Sequence, residues 1–235
     1  MPKFVNLIIG SVAVGQTFVE AAQASPFTNF FDDFFHVRHK GQVDASTCPQ
    51  SPSNHRVESL PYWAEDFDIP CMYAANMKSS DTYDNYFFYW LMPNPDSTST
   101  DNPLIIYLNG GPGSTSMNAL FTANGPLRVE EISYREDFAI TYDPDNSWVG
   151  LGDLLWIDQP SNTGWSYGEH YATSLEEIGN DMVTFMLNFY EEFPEYKTRT
   201  LMLTGESFAG KYLSFTAKAM QDYNSDASNS FEFPL

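Results

Sequence analysis

The chain has 235 residues, with 11 Lys and Arg against 31 Asp and Glu, which gives a formal net charge of −20. Its 43% hydrophobic and 16% aromatic residues exclude a disordered acidic tail, because such tails lack the apolar side chains that form a core. The negative charge argues against nucleic acid and anionic membranes as partners, since both are bound through basic patches.

The first 24 residues show the pattern of a secretory signal peptide. Lys3 is the only charged residue before Glu20, the stretch 4–19 is mostly apolar, and Ala22-Gln23-Ala24 presents small residues at a cleavage position. An amphipathic helix or a buried strand is the alternative interpretation. No other stretch approaches the roughly 20 apolar residues that a membrane-spanning helix requires, so no membrane partner is expected.

Residues 25–60 are rich in Phe, Asp, Pro and Ser and are predicted to form a poorly ordered arm ahead of the domain. A removable pro-segment is the alternative. In a secreted chain the two cysteines, Cys48 and Cys71, can form one disulfide, although their spacing does not show whether they meet. The domain itself is expected over residues 61–235.

Short apolar strands alternate with helices after residue 61. Buried strands are predicted over residues 86–92, 104–108, 154–157 and 201–203. Apolar residues from Leu175 to Phe193 recur at spacings of three and four, which predicts a helix that begins with a capping box of Ser174 and Glu177. A second helical pattern follows Ser207. This alternation predicts parallel βαβ units and therefore an α/β sheet.

Ser207 lies between a predicted strand and a predicted helix, with Gly205 two residues before it and Ala209 two residues after it. This context predicts a nucleophile elbow, a turn so tight that its flanking positions admit only small residues. The Ser207 hydroxyl would project above the sheet edge, where the amino terminus of the helix favours developing negative charge. An ordinary glycine-containing turn with a capping serine is the alternative.

A glycine-rich turn, NGGPG at residues 109–113, ends the strand predicted over residues 104–108. Hydrolases with a nucleophile elbow bind the tetrahedral oxyanion with two backbone N–H groups. One belongs to the residue after the nucleophile and the other to a turn of this kind. Glycine lets the backbone approach the substrate without a Cβ clash. A purely structural turn is the alternative.

Three sequence blocks occur in order along the chain: YLNGGPGS at residues 107–114, DQPSNTGWSY at 158–167 and GESFAGKY at 205–212. They resemble the WLNGGPGC, DQPxGxGFSY and GESYAGxY blocks of the serine carboxypeptidases, and the resemblance spans about residues 60–220. It implies an α/β-hydrolase-type fold, with a mostly parallel sheet and flanking helices, that is incomplete at its carboxy-terminal side.

The resemblance also implies a site and a function. Ser207 would be the acylated nucleophile, Gly111 and Phe208 would supply the oxyanion N–H groups, and the terminal carboxylate of the substrate would be held by Asn109, Gly110 and Glu206. A glutamic acid binds a carboxylate only when it is protonated, which fits an enzyme that works in acid. The implied activity is release of carboxy-terminal residues from peptides or proteins, without cofactor or metal, by a secreted or lysosomal/vacuolar enzyme.

Four positions depart from the family pattern. Ala123 stands where the family has a second recognition Glu, Ser114 replaces a Cys, Asn162 replaces a Gly and Tyr107 replaces a Trp. Without a partner carboxyl at Ala123, Glu206 is less strongly driven to stay protonated. This departure favours an acyltransferase or esterase on the same scaffold as an alternative function.

A catalytic base is not evident in the sequence. The four histidines all precede the nucleophile, namely His36, His39, His55 and His170, whereas hydrolases of this type place Asp and His after it. We expect His170 to be a solvent-exposed loop residue rather than a substitute base. Three interpretations remain open: a partial or mispredicted gene product, one chain of a processed two-chain enzyme with a carboxy-terminal companion, or a truncated inactive homologue. A non-catalytic interaction protein is the alternative function.

Overall fold

The structure is a computed structural model, and it describes residue 48 and residues 54–64, 68–95, 102–131 and 138–235. The predicted signal peptide and most of the predicted arm lie outside the described residues. At the end of the arm, Val57 and Leu60 are buried, and the Val57 N–H donates to the Met72 carbonyl at 3.0 Å. The domain boundaries themselves stay a prediction.

The sheet that positions the site consists of β1 (Tyr73–Lys78), β2 (Asn85–Met92), β3 (Leu104–Leu108), β6 (Asp153–Asp158), β7 (Tyr167–Gly168) and β8 (Leu201–Gly205). The strand order is β1-β2-β6-β3-β8, and the short strand β7 pairs with β2. Two further strands, β4 (Leu127–Glu131) and β5 (Phe138–Tyr142), form a separate antiparallel hairpin. All four predicted strands are therefore present.

Strands β6, β3 and β8 are mutually parallel, whereas β2 runs antiparallel to β1, β6 and β7. The described sheet is thus mixed, because only six residues connect β1 to β2 and so short a link joins antiparallel strands. Strands β3 and β6 are wholly buried, which explains why their sequences are continuously apolar or nearly so, whereas only Leu201 of β8 is buried. The predicted α/β-hydrolase-type arrangement of sheet and flanking helices is confirmed.

The helices are α1 (Met117–Thr122), α2 (Leu175–Glu192) and α3 (Ala209–Ser225). Helix α2 begins as predicted, since the Ser174 hydroxyl accepts from the Glu177 N–H at 3.1 Å. The Glu177 carboxylate reaches back one residue further than in the standard capping box and accepts from the Thr173 N–H at 2.8 Å. Helices α2 and α3 touch at Gly179, where an added Cβ would stand 2.7 Å from the Phe215 carbonyl oxygen.

Each face of the sheet has its own core. One face is covered by α2 and α3, and its buried side chains are a mixture of aliphatic and aromatic groups; the aromatic ones include Phe87, Tyr89, Phe185, Phe189, Phe193 and Tyr212. The other face packs against α1 and the β4–β5 hairpin and includes Trp90, Trp156, Leu120, Leu127 and Ile140. None of the helices within the described residues is long and apolar enough to cross a membrane.

Cys48 and Cys71 form a disulfide with a Cα–Cα distance of 5.5 Å. The bridge ties a residue of the predicted arm to the segment that enters β1. It closes a loop of 23 residues, for which the restriction of the unfolded chain contributes about 3 kcal/mol to stability.

Asp181 gives the fold a pH dependence that can be measured. Its side chain is buried on α2, and this burial, with the nearby negative charge of Glu177, raises the pKa of the carboxyl to about 6. The pKa of Asp181 in the folded chain thus exceeds the value of roughly 3.9 for an unfolded Asp. The contribution of the protonated Asp181 carboxyl to folding stability is therefore fully present below about pH 4 and is lost as the pH rises through about 6.

The free energy of unfolding of Asp181→Asn is therefore expected to exceed that of the wild type by about 2 kcal/mol at pH 7, because the neutral amide does not ionise. Near pH 4 the two free energies of unfolding should be equal. Urea unfolding at the two pH values measures the difference. Asp222→Asn is the matched control, because Asp222 forms an exposed pair with Lys218 and should change stability by less than about 1 kcal/mol. An advantage of Asp181→Asn that is equal at both pH values would contradict the assignment.

Candidate active site

The site forms where the neighbouring parallel strands β3 and β8 end. Leu108 is in register with Gly205, and the Glu206 N–H donates to the Leu108 carbonyl at 3.3 Å. Because parallel strands end at the same edge of a sheet, the glycine-rich turn after β3 and the turn at Ser207 lie side by side. Segments nearly one hundred residues apart in sequence are joined in this way.

Ser207 occupies a strained turn between β8 and α3. Its φ of 54° is in the left-handed region, which is uncommon for residues other than glycine. A Cβ at Gly205 would stand 2.5 Å from the Leu108 carbonyl oxygen and 2.8 Å from the Ala209 Cβ, so this position admits only glycine. Ser207 itself is exposed. This is the backbone conformation that the predicted nucleophile elbow requires, and the role of Ser207 as a nucleophile stays a prediction.

The glycine-rich turn touches the Ser207 turn at Gly110. A Cβ there would lie 2.7 Å from the Phe208 nitrogen and 3.0 Å from the Ser207 Cβ. Gly111 has a φ of 109°, which also favours glycine. Within the described part of the chain, neither the Gly111 nor the Phe208 N–H donates a hydrogen bond to the protein. Both groups are therefore free to donate to an oxygen of the substrate.

A buried network fixes the position of the glycine-rich turn. The Asn109 N–H donates to the Ser116 hydroxyl at 3.0 Å, and that hydroxyl donates to the Ile157 carbonyl at 2.6 Å. The Asp158 carboxylate accepts from the Thr115 hydroxyl and the Ser116 N–H, both at 2.7 Å. Burial raises the pKa of Asp158 to about 6, although these donors act in the opposite direction.

The second sequence block closes around the same carboxylate. The other oxygen of Asp158 accepts from the Trp165 N–H at 3.0 Å. Asn162, which replaces a family glycine, has a φ of 69°, and asparagine tolerates this left-handed conformation better than most residues. Its side-chain oxygen accepts from the Gly168 N–H at 3.2 Å. The substitution at Asn162 is therefore compatible with the turn.

Helix α3 supports the glycine-rich turn from the side of the Ser207 turn. The Gly113 N–H donates to the Tyr212 hydroxyl at 3.3 Å, and the Tyr212 side chain is buried beneath Phe208, with their rings 5.1 Å apart. Helix α3 thus follows the Ser207 turn directly and contacts the glycine-rich turn one helical turn later.

A cavity of about 510 Å³ borders the strand end that carries Ser207. Its lining residues come from four places in the chain: Tyr107, Ala123, Asn124, Asp145, Asn146, Ser147, Trp148, Gly205 and Glu206. Burial, with the nearby negative charge of Glu206, raises the pKa of the Tyr107 hydroxyl to about 12. Tyr107 packs edge-on against Trp148, with ring centroids 6.3 Å apart.

All six predicted site residues lie at the ends of β3 and β8. Ser207, Gly111 and Glu206 are exposed, Phe208 is half-buried, and Asn109 and Gly110 are buried. Sequence reasoning assigned no role to Asn124, Asp158 or Tyr212, which line the cavity or hold the turn. Asp158 and Tyr212 lie inside the blocks at residues 158–167 and 205–212, and this position in a family block was the sequence signal that could have identified them.

His170 is not brought to Ser207. Its ring stacks on Tyr83 at 3.8 Å, and its Nε2 lies 2.6 Å from a Glu177 carboxylate oxygen. Its backbone bonds to Asn85 at the start of β2, and two strands, β6 and β3, separate β2 from β8. His170 is a half-buried structural residue rather than the exposed loop histidine that was expected.

No group of three His, Cys, Asp or Glu side chains within the described ranges is placed to hold a metal ion. The site itself combines the exposed Ser207 hydroxyl with two backbone N–H groups that have no acceptor among the described residues. This combination suits a nucleophile whose attack creates an oxyanion.

Comparison with known proteins agrees with this chemistry. The family model described as serine carboxypeptidase matches residues 68–234. The pheromone-processing carboxypeptidase KEX1 of Ogataea parapolymorpha is 35% identical over 161 residues, covering 66% of this chain and 25% of that protein. The KEX1 of Saccharomyces cerevisiae is 35% identical over 192 residues, covering 77% of this chain and 24% of that protein.

A solved structure gives the same result. The crystal structure of KEX1(delta)p, a prohormone-processing carboxypeptidase from Saccharomyces cerevisiae, matches with a TM-score of 0.64 and 33% identity, covering 71% of this chain and 37% of that one. The chain therefore spans about a quarter of the length of these curated relatives. On its sequence blocks, its fold and these matches, the chain belongs to the serine carboxypeptidase family.

Proposed function

We propose that the chain carries the nucleophile of a serine-type carboxypeptidase that releases carboxy-terminal residues from peptides. The observation that carries this proposal is the contact between the Ser207 turn and Gly110, beside two backbone N–H groups that have no acceptor among the described residues. A serine at such a junction is typical of acyl transfer through a covalent intermediate.

In this mechanism the Ser207 oxygen attacks the carbonyl carbon of the last peptide bond, and its proton passes to a base. The Gly111 and Phe208 N–H groups bind the resulting oxyanion. The C–N bond then breaks, and the terminal residue leaves as its amine takes the proton. Water hydrolyses the acyl-enzyme and restores the Ser207 hydroxyl. Asn109, Gly110 and Glu206 hold the terminal carboxylate of the substrate.

The base would come from a carboxy-terminal companion that supplies an imidazole and a carboxylate. The outer edge of β8, on the side away from β3, is consistent with such a companion. Alternate N–H groups of β8 point away from β3, and of these Leu201 donates to Pro234 at 2.8 Å, while Leu203 and Gly205 have no partner within the described chain. A strand added there would end beside Ser207, because parallel strands end at the same sheet edge.

The protein would act in the secretory pathway, either secreted or in the lysosome or vacuole. The disulfide between Cys48 and Cys71 supports this, because disulfides form and persist in oxidising compartments.

An acyltransferase or esterase on the same scaffold is the second candidate. The observation that favours it is Ala123, which lines the cavity together with Glu206 and contributes no carboxyl group. Hydrolysis of peptides against acyl esters of the same length would separate the two candidates.

The test of the main proposal is release of the terminal amino acid from an N-blocked peptide. The chain is assayed alone and together with the carboxy-terminal part of the Saccharomyces cerevisiae relative that follows the matched region. Activity should require both parts, and Ser207→Ala should lower it by at least about 10⁴-fold. Ser214→Ala is the matched control, because Ser214 is an exposed residue of α3 that bonds to its own helix. Activity that survives Ser207→Ala would refute the proposal.

A further inference from the structure

Asn124 is a buried amide in the wall of the cavity beside the nucleophile turn. It is 6% exposed, and it follows the end of α1. The cavity that it lines also contains Glu206, the residue immediately before Ser207. Asn124 is therefore a polar group, more than nine-tenths buried, at the place where the substrate's terminal residue would lie.

The orientation of the Asn124 amide is fixed by its neighbours. Its side-chain oxygen accepts from the Trp156 indole N–H at 3.0 Å, and an indole N–H can only donate. Its backbone carbonyl accepts from the Trp148 N–H at 2.9 Å. These two bonds leave Nδ2 as a donor of known identity, and among the described residues it has no hydrogen-bond partner.

Other polar side chains in this wall are already used within the protein. The Asn146 Nδ2 donates to both Asp143 oxygens, at 3.0 and 3.2 Å, and the Ser147 hydroxyl donates to the Pro144 carbonyl at 2.9 Å. A buried donor without an acceptor costs free energy that a substrate oxygen would recover on binding. Asn124 is thus the amide in this wall whose donor is left without an acceptor among the described residues.

The charge of the wall limits which acceptor can be bound. The lining residues include the acids Glu206 and Asp145 and no Lys or Arg. A carboxylate in this cavity therefore needs neutral donors, because no lining side chain offsets its negative charge. Glu206 is such a donor only when it is protonated, whereas the Asn124 Nδ2 donates at any pH.

We propose that Asn124 is a specificity-determining residue whose Nδ2 donates to the terminal carboxylate of a peptide substrate. It lies directly after Ala123, and it supplies the neutral donor that Ala123 cannot. This inference rests on the proposed function for its substrate class, but it concerns binding and does not require turnover.

The test measures binding in a Ser207→Ala background, which removes turnover. The full chain is titrated, by NMR shifts at about pH 5, with an N-acetyl dipeptide acid and with its uncharged methylamide. The acid should bind more tightly than the methylamide. Asn124→Leu should weaken binding of the acid by about tenfold or more, because a hydrogen bond to a charged acceptor is lost, and should reduce the preference over the methylamide.

Two further variants make the result decisive. Asn188→Leu applies the same substitution to an amide on α2 that donates to the Lys78 carbonyl at 3.0 Å, and it should leave both affinities within about twofold. Asn124→Asp keeps the acceptor for Trp156 but removes the amide donor, and it should also weaken binding of the dipeptide acid. A preference for the acid that persists in Asn124→Leu and Asn124→Asp, or equal or undetectable binding of the two peptides by the parent chain, overturns the inference. Neither result would bear on whether Ser207 is acylated.

Discussion

Gly110→Ala is expected to lower the rate at which Ser207 is acylated by about 100-fold or more. The added Cβ would stand 2.7 Å from the Phe208 nitrogen and 2.8 Å from the Glu206 carbonyl oxygen, and both atoms belong to the backbone. The turns must therefore move apart, which misplaces the N–H groups that bind the oxyanion. Loss of a single oxyanion donor typically costs about 10² to 10³ in rate.

The rate is measured with a p-nitrophenyl ester or with the peptide assay, in the presence of the carboxy-terminal companion. Gly150→Ala is the matched control, since an added Cβ there meets nothing within 4 Å. It should retain at least about half of the parent rate. If Gly110→Ala folds and reacts as fast as Gly150→Ala, the turn at residues 109–113 does not form the oxyanion site.

Arg199→Leu is expected to destabilise the fold by about 3 to 5 kcal/mol. Arg199 is 2.5 Å from the Asp153 carboxylate, which also accepts from the Tyr196 hydroxyl at 2.8 Å and the Asn94 N–H at 2.9 Å. The Asp153 side chain is 1% exposed, so removal of Arg199 leaves a buried charge without its counterion. This pair joins the start of β6 to the segment that precedes β8.

Urea unfolding measures the loss. Lys218→Leu is the matched control, because the Lys218 and Asp222 side chains are each 67% exposed and such a pair contributes about 1 kcal/mol or less. The double variant Asp153→Leu with Arg199→Leu should be less destabilised than Arg199→Leu alone, since it removes the buried charge as well. A cost for Arg199→Leu as small as that of Lys218→Leu would contradict the assignment.

The elements that sequence reasoning predicted are those in which a single pattern dominates. The strand over residues 104–108 is wholly apolar, and the helix that begins at Leu175 shows an apolar residue at every third or fourth position. Strand β1 was not predicted, because its sequence YAANMK mixes polar and small residues and it forms by pairing with β2. The β4–β5 hairpin likewise depends on pairing and on packing beneath α1.

The turn at Ser207 was predictable because its conformation is set locally. The left-handed conformation of Ser207 and the space at Gly205 depend on a few consecutive residues. The cavity was not predictable, because its wall joins Asn124, Trp148 and Glu206 from segments that meet only in the folded chain. The disulfide belongs to the same class, since the spacing of Cys48 and Cys71 does not report their distance.

The most direct test of the central claim is to find which residue a fluorophosphonate modifies. The chain is treated alone and with the carboxy-terminal companion, and the modified peptide is identified by mass spectrometry. We expect one adduct per chain, on Ser207, formed rapidly when the companion is present and at least about 100-fold more slowly without it. Modification of a different serine, or an unmodified Ser207 in the assembled pair, would contradict it.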